Sequence, residues 1–140
     1  AQAGTPLLVA FIDLDGFKRI NDTWGHAAGD RFLSAIADAL RQGQRPEDYC
    51  ARLGGDEFVT LTSLGHAHGD LAGVEQSVEQ RLQAVTCGCF TLGPGIVIDY
   101  QGPSIGLIRV QGTMSATAVL TQADAAMYRS KQARQAARGG

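Results

Sequence analysis

The strongest constraint on the fold is a run of apolar residues, Leu7-Leu8-Val9-Ala10-Phe11-Ile12, that ends abruptly on Asp13. Such a run, without polar alternation, is the pattern of a strand buried on both faces, which belongs in the middle of a sheet with layers on either side. The residues that follow alternate in type. Residues 17–24 and 30–42 read as helices separated by Gly25-His26-Ala27-Ala28-Gly29, and the second carries Phe32, Leu33, Ile36, Ala37 and Leu40 at three-to-four spacing with Asp30 at its start. Residues 49–53 and 57–61 flank Gly54-Gly55 as a hairpin. Residues 69–85 place Leu71, Val74, Val78, Leu82 and Val85 at helical spacing. Short strand-like pieces follow around 90–92, 95–98 and 105–110, then a last helix over about 122–137. The order predicts an α/β (α+β) sandwich with one central mixed, mostly antiparallel sheet flanked by helices.

A chain of 140 residues is enough for one domain with a real core. Its formal net charge of −2 offers no basic footprint, so nucleic acid is not an expected partner. No apolar stretch approaches the roughly 20 residues of a membrane span, and no charged start precedes an apolar segment in the manner of a signal peptide. Cys50, Cys87 and Cys89 are an odd number, and Cys87-Gly88-Cys89 is too close for an ordinary bridge. Reduced thiols and a cytoplasmic location are the simpler expectation. The sequence begins one short polar segment ahead of an apolar run, which suggests a piece of a larger protein.

The residues that carry chemistry lie where strands end. Asp13-Leu14-Asp15-Gly16-Phe17-Lys18 puts acids at the exit of the buried strand, then a glycine bend, then a lysine entering a helix. Ligands collect at such strand ends, and the N–H groups of a bend and helix start can cradle phosphate oxygens. Arg52-Leu53-Gly54-Gly55-Asp56-Glu57-Phe58 lifts two more carboxylates to the lip of a strand on a Gly-Gly turn. If either hairpin strand lies beside the first strand, Asp13 and Asp56 can share a hard divalent cation. Mg²⁺ typically takes one or two carboxylates plus substrate phosphates. Asp15 reads instead as a solvated helix entry.

Two further groups point at a purine and a phosphate ligand, each beside a plainer reading. Guanine presents an N1–H next to an N2–H₂, a donor pair that a carboxylate accepts and adenine lacks. Asn21 and Asp30 on adjoining helices could read it; equally, Asn21 could end its helix and Asp30 could cap the next one. Arg45-Pro46-Glu47-Asp48 offers a guanidinium for phosphate and a carboxylate for guanine, or an ordinary surface ion pair worth little. His66, His68 and Asp70 lack a fourth ligand and read as loop residues rather than a metal site.

Taken together, the stretch from Asp13 to Asp30 and the segment Arg52 to Phe58 resemble the GGDEF family of bacterial diguanylate cyclases, with later matches at Ser104-Ile105-Gly106 and from Ala123 to Lys131. The resemblance spans almost the whole chain in order. It implies a fold like that of nucleotidyl cyclases and polymerase palms, and condensation of two GTP into cyclic di-GMP with release of pyrophosphate. It implies Mg²⁺ or Mn²⁺ held by Asp13, Asp56 and the Leu14 carbonyl, with Glu57 as the second acid, serving the metal or the attacking hydroxyl. It further implies phosphate contacts from Gly16, Phe17, Lys18 and Lys131, guanine contacts from Asn21 and Asp30, and space for the nucleotide at Gly54 and Gly55. Arg45 and Asp48 match the family's RxxD product-inhibition site. Each domain binds one GTP, so turnover implies an antiparallel homodimer, the domain itself making no membrane contact.

Two departures qualify the match. The family usually opens with a helix carrying a DxLT turn, which is not found ahead of Pro6; the expectation is an exposed sheet face and a weaker nucleotide pocket. Gln135 stands where the family has a second phosphate-binding arginine, and Arg134 sits one residue early, about 100° around a helix. A second reading therefore stays beside the cyclase: a weak or inactive GTP- or cyclic di-GMP-binding module that controls a neighbouring domain.

Overall fold

The apolar run forms strand β1 (Leu7–Asp13), and two strands hydrogen-bond to its two edges. The computed structural model describes residues 6–46, 48–64, 70–110 and 114–139. After β1 come helices α1 (Phe17–Trp24) and α2 (His26–Gln42), then a hairpin of β2 (Tyr49–Gly54) and β3 (Glu57–Ser63). Helix α3 (Leu71–Thr86), a second hairpin of β4 (Gly88–Gly93) and β5 (Ile96–Tyr100), β6 (Ser104–Val110) and helix α4 (Ala116–Gly139) complete the order. The main sheet runs β2-β3-β1-β6, and β4-β5 form a separate two-stranded sheet.

The α+β sandwich with helices flanking a central, mostly antiparallel sheet is thus present, with one refinement. Every pair among the described strands is antiparallel, so no parallel pair accompanies them. Both neighbours of β1 run against it, β3 arriving by its hairpin with β2 and β6 by the β5–β6 connection. Strand direction of this kind is not encoded in the order of elements.

The two faces of the sheet have different covers. Ala10, Ile12, Phe58 and Ile105 pack with Phe32, Ile36 and Leu40 of α2 and Leu82 of α3 in one core. Phe32, fully buried, meets Tyr100 and Phe90 edge-on at centroid distances of 4.9 and 5.2 Å, joining α2 to the second hairpin. On the other face α4 lies against β6 so closely that a Cβ at Gly106 would stand 2.8 Å from the backbone nitrogen of Met127. Tyr49 and Leu53 at the β2 edge are each 56% exposed.

Two helices start earlier than their spacing suggests. Helix α2 begins at His26, because Gly25 alone (φ 92°) breaks the chain after α1. Asp30 is therefore inside α2 and is not its cap. Helix α4 begins at Ala116 rather than near residue 122, with Ser115 as its cap: the Ser115 hydroxyl accepts from the Ala118 N–H at 3.1 Å. His66 and His68 fall outside the described residues.

Candidate active site

The end of β1 is built from three chain segments. In the sheet register Asp13 stands opposite Glu57 on one side and Ser104 on the other. One step on, the Leu14 N–H donates to the Asp56 carbonyl at 2.9 Å, tying the exit of β1 to the Gly-Gly turn. That turn needs its glycines for conformation: Gly54 and Gly55 have φ of 148° and 49°. Around both, and around Gly16, an added Cβ would meet nothing within 4 Å, so the lip of the site is open on the side where a ligand would approach.

The electrostatics of this lip suit a cation. Burial and then the charge of Asp13 push the Asp56 carboxyl above the ordinary aspartate range, with its own backbone N–H and Lys131 opposing. Lys131, reaching over from α4, sets its ammonium 2.6 Å from Asp13 and 3.6 Å from Asp15. Its hydrogen bond to Asp13 is the main reason its own pKa is raised. Among the described residues no three His, Cys, Asp or Glu side chains converge. The protein therefore offers two hard carboxylates, Asp13 and Asp56, with the Leu14 carbonyl beside them. That donor set fits Mg²⁺ or Mn²⁺, which complete their shell with water and phosphate oxygens, better than an all-protein cage. Glu57 is exposed at the mouth.

The glycine bend after Asp15 opens helix α1. Gly16 adopts a left-handed conformation (φ 80°, ψ 6°) at the start of α1, where first-turn N–H groups lack intrahelical partners. Phe17 stacks on Phe32 at 6.4 Å, its N–H donates to the Leu14 carbonyl at 3.2 Å, and Lys18 is exposed beside it. One turn along α1, the Asn21 side chain lies on the backbone of α2 at Gly29: a Cβ there would come within 2.9 Å of the Asn21 Cγ. Asp30 follows immediately and is exposed. The interhelical position of Asn21 thus depends on a glycine that the sequence reading had placed only in a loop.

Asp15 is not the solvated helix entry expected of it. Its side chain is 16% exposed, accepts a hydrogen bond from the buried Ser104 hydroxyl, and pairs with Lys131 and, at 3.6 Å, with Arg134. Arg134 in turn donates to the carbonyls of Gln101 and Gly102, both at 2.9 Å. It clamps the connection into β6 and is spoken for by the fold, while Gln135 is exposed.

At the far end of the β2–β3 hairpin, Arg45 and Asp48 do come together. The Asp48 carboxylate accepts from the Arg45 N–H at 3.0 Å and from its guanidinium at 3.3 Å, and the same guanidinium donates to the Ser63 carbonyl at 2.7 Å. They line a cavity of about 320 Å³ with Thr62 of β3 and with Val78 and Arg81 of α3, the Arg81 guanidinium donating to the Gly43 carbonyl. Arg81 had no motif to announce it. In the sheet register Ser63 and Glu57 mark opposite ends of β3, roughly 20 Å apart at strand rise. Cys50, Cys87 and Cys89 are all free.

Known proteins resemble this chain in sequence and fold. The family described as "Diguanylate cyclase, GGDEF domain" matches residues 1–137. The chain is 37% identical over 130 residues to diguanylate cyclase DgcP of Escherichia coli K12, covering 92% of this chain and 36% of that protein, so it spans about a third of that relative's length. Among solved structures it is similar to a sensory box/GGDEF family protein from Caulobacter crescentus CB15 (TM-score 0.80, 34% identity, 92% of this chain and 80% of that one). It is also similar to the GGDEF domain of DgcB from Caulobacter crescentus in complex with c-di-GMP (TM-score 0.74, 27% identity, 92% and 74%).

Proposed function

This chain belongs to the GGDEF diguanylate cyclase domain family, and from that premise we propose that it joins two molecules of GTP into cyclic di-GMP with release of two pyrophosphates. The observation that carries the reading is the meeting of Asp13 and Asp56 at paired strand ends, beside an open glycine bend and under Lys131. We take residues 1–140 as one GGDEF domain of a larger cytoplasmic signalling protein.

In this reading Asp13, Asp56 and the Leu14 carbonyl hold Mg²⁺ or Mn²⁺. A cation held there would supply Lewis-acid polarisation to the reacting oxygens. Backbone N–H groups at Gly16 and Phe17, with the ammoniums of Lys18 and Lys131, hold the triphosphate in line. Asn21 and Asp30 read guanine, and Gly54 and Gly55 leave room for the nucleotide. Each 3′-oxygen attacks the α-phosphorus of the other GTP, a new P–O bond forms, and pyrophosphate leaves with the bonding pair. Glu57, at the mouth of the site, accepts the proton of the attacking hydroxyl or adds to the cation's shell. Each domain presents one GTP, so the reacting pair requires two domains face to face.

The cavity of Arg45, Asp48 and Arg81 supports product inhibition by the chemistry of its lining, about a strand's length from the reacting acids. Because Arg45 and Asp48 hold each other, the Asp48 side chain is 2% exposed and Arg81 donates to the Gly43 carbonyl, the ligand would have to displace these internal contacts. That DgcB is solved with c-di-GMP bound supports a GGDEF domain of this fold taking that ligand. One observation favours the weaker, regulatory reading: Arg134 is committed to Gln101 and Gly102 and does not replace the missing arginine at 135. The test that separates the two is incubation with GTP and Mg²⁺ followed by separation of nucleotides. Product supports the cyclase; bound but unchanged GTP supports the module.

A further inference from the structure

Three elements meet at one carboxylate that the proposed mechanism does not use. Asp15 lies just past the end of β1, Ser104 opens β6, and Lys131 and Arg134 sit one turn apart on α4. Ser104 is fully buried, so its hydroxyl must find a partner inside the fold, and Asp15 supplies it. With one oxygen of Asp15 turned to Ser104 and Arg134 and the other toward Lys131, this acid is poorly placed to join Asp13 and Asp56 on a cation. Arg134, fixed to the carbonyls of Gln101 and Gly102, makes the same hub rigid from the side of α4.

We propose that Asp15 is a positioning residue that pre-sets Lys131 for the substrate's triphosphate. Without Asp15, Lys131 on its flexible four-carbon stem keeps Asp13 as its ion-pair partner among the described residues, and Asp13 is wanted by the cation. When a cation takes Asp13, Asp15 keeps the ammonium over the glycine bend, so little side-chain freedom is lost when phosphate arrives. The inference rests on the reading of GTP as substrate, and its sign is distinctive. On charge alone, removing a carboxylate beside a polyanion tightens binding; on positioning, it weakens it.

The test measures binding, not turnover, with 3′-deoxy-GTP and 3′-deoxy-GMP, which lack the attacking hydroxyl, by calorimetry on the wild type, Asp15→Asn, Lys131→Met and the double variant. Asp15→Asn is expected to weaken the triphosphate about tenfold, the scale of one charge-assisted contact, and to leave the monophosphate within about twofold. The double variant is expected to bind no more weakly than Lys131→Met alone, because Asp15 acts through that lysine. Equal losses for both nucleotides, tighter triphosphate binding, or additive losses in the double variant would overturn the role. A wild type with no preference for triphosphate over monophosphate would overturn the substrate reading as well, whereas a Lys131→Met loss without an Asp15→Asn loss overturns this inference alone.

Discussion

The amide of Asn21 occupies the space that a methyl group on Gly29 would need, 2.9 Å or less from its Cγ and Oδ1. Gly29 is buried inside α2, in an ordinary helical conformation, so nothing about its backbone calls for glycine. The close passage of α1 over α2 does. Gly29→Ala should displace the Asn21 amide and, on the proposed reading of Asn21 as a guanine contact, weaken nucleotide binding. We expect GTP affinity to fall by about tenfold or more, the cost of leaving a polar edge unpaired, while the helices persist by circular dichroism.

Gly106 plays the matching part for the other half of the site. A Cβ at this position would strike the backbone of Ala126 and Met127, and backbone cannot swing aside as a side chain can. Gly106→Ala should therefore destabilise the domain by about 1–3 kcal/mol in a urea titration. It should also weaken triphosphate binding, because α4 carries Lys131 to Asp13.

The raised pKa of Asp56 gives a pH dependence with a definite sign. Burial and the charge of Asp13 make the folded domain take up a proton at higher pH than the unfolded chain does. In the metal-free domain this favours the fold below the raised pKa, and the advantage is lost as pH rises through it. A cation competes with that proton. Mn²⁺ affinity, read by electron paramagnetic resonance, should fall on acidification from a pH above that at which an ordinary aspartate titrates, approaching about tenfold per pH unit below the raised pKa. Asp56→Asn should abolish Mn²⁺ binding and slightly raise the melting temperature of the metal-free domain.

Arg45 donates to Asp48 and to the Ser63 carbonyl from the rim of the cavity it shares with Arg81. Arg45→Ala and Arg81→Ala should each raise the concentration of cyclic di-GMP needed for half-inhibition by about tenfold or more, as expected for lost guanidinium–phosphate pairs. Progress curves with added product provide the check.

The parts of this site that were legible before the structure share a property: their meaning is local. Asp13 stands out because an acid directly after a doubly buried strand has few roles, and Asp56 because two glycines hold it at a turn. Asp15 was misread because a carboxylate two residues past a strand looks the same whether water or Arg134 holds it. The deciding partner, Ser104, lies 89 residues away. Gly29 looked like a loop residue because helical glycine is costly, and only the packing of Asn21 explains it. The early start of α4 was hidden by Thr117, Val119 and Thr121, β-branched residues that dilute a helical pattern, although Ser115 was there as a cap. The mostly antiparallel character of the sheet was expected; that every described pair would be antiparallel was not, since spacing does not record the direction of each strand.

The central claim is that Asp13 and Asp56 together turn this glycine-lined strand end into a site that condenses GTP. The most direct measurement is incubation of the protein at high concentration with GTP and Mg²⁺, with chromatographic separation of nucleotides and assay of pyrophosphate, beside Asp13→Asn. The account predicts one cyclic di-GMP for every two pyrophosphates, with the rate lowered at least a hundredfold in the variant, the scale of a lost charge-stabilising group. GTP that binds to the wild type and is recovered unchanged, or product formed equally well by Asp13→Asn, would contradict it.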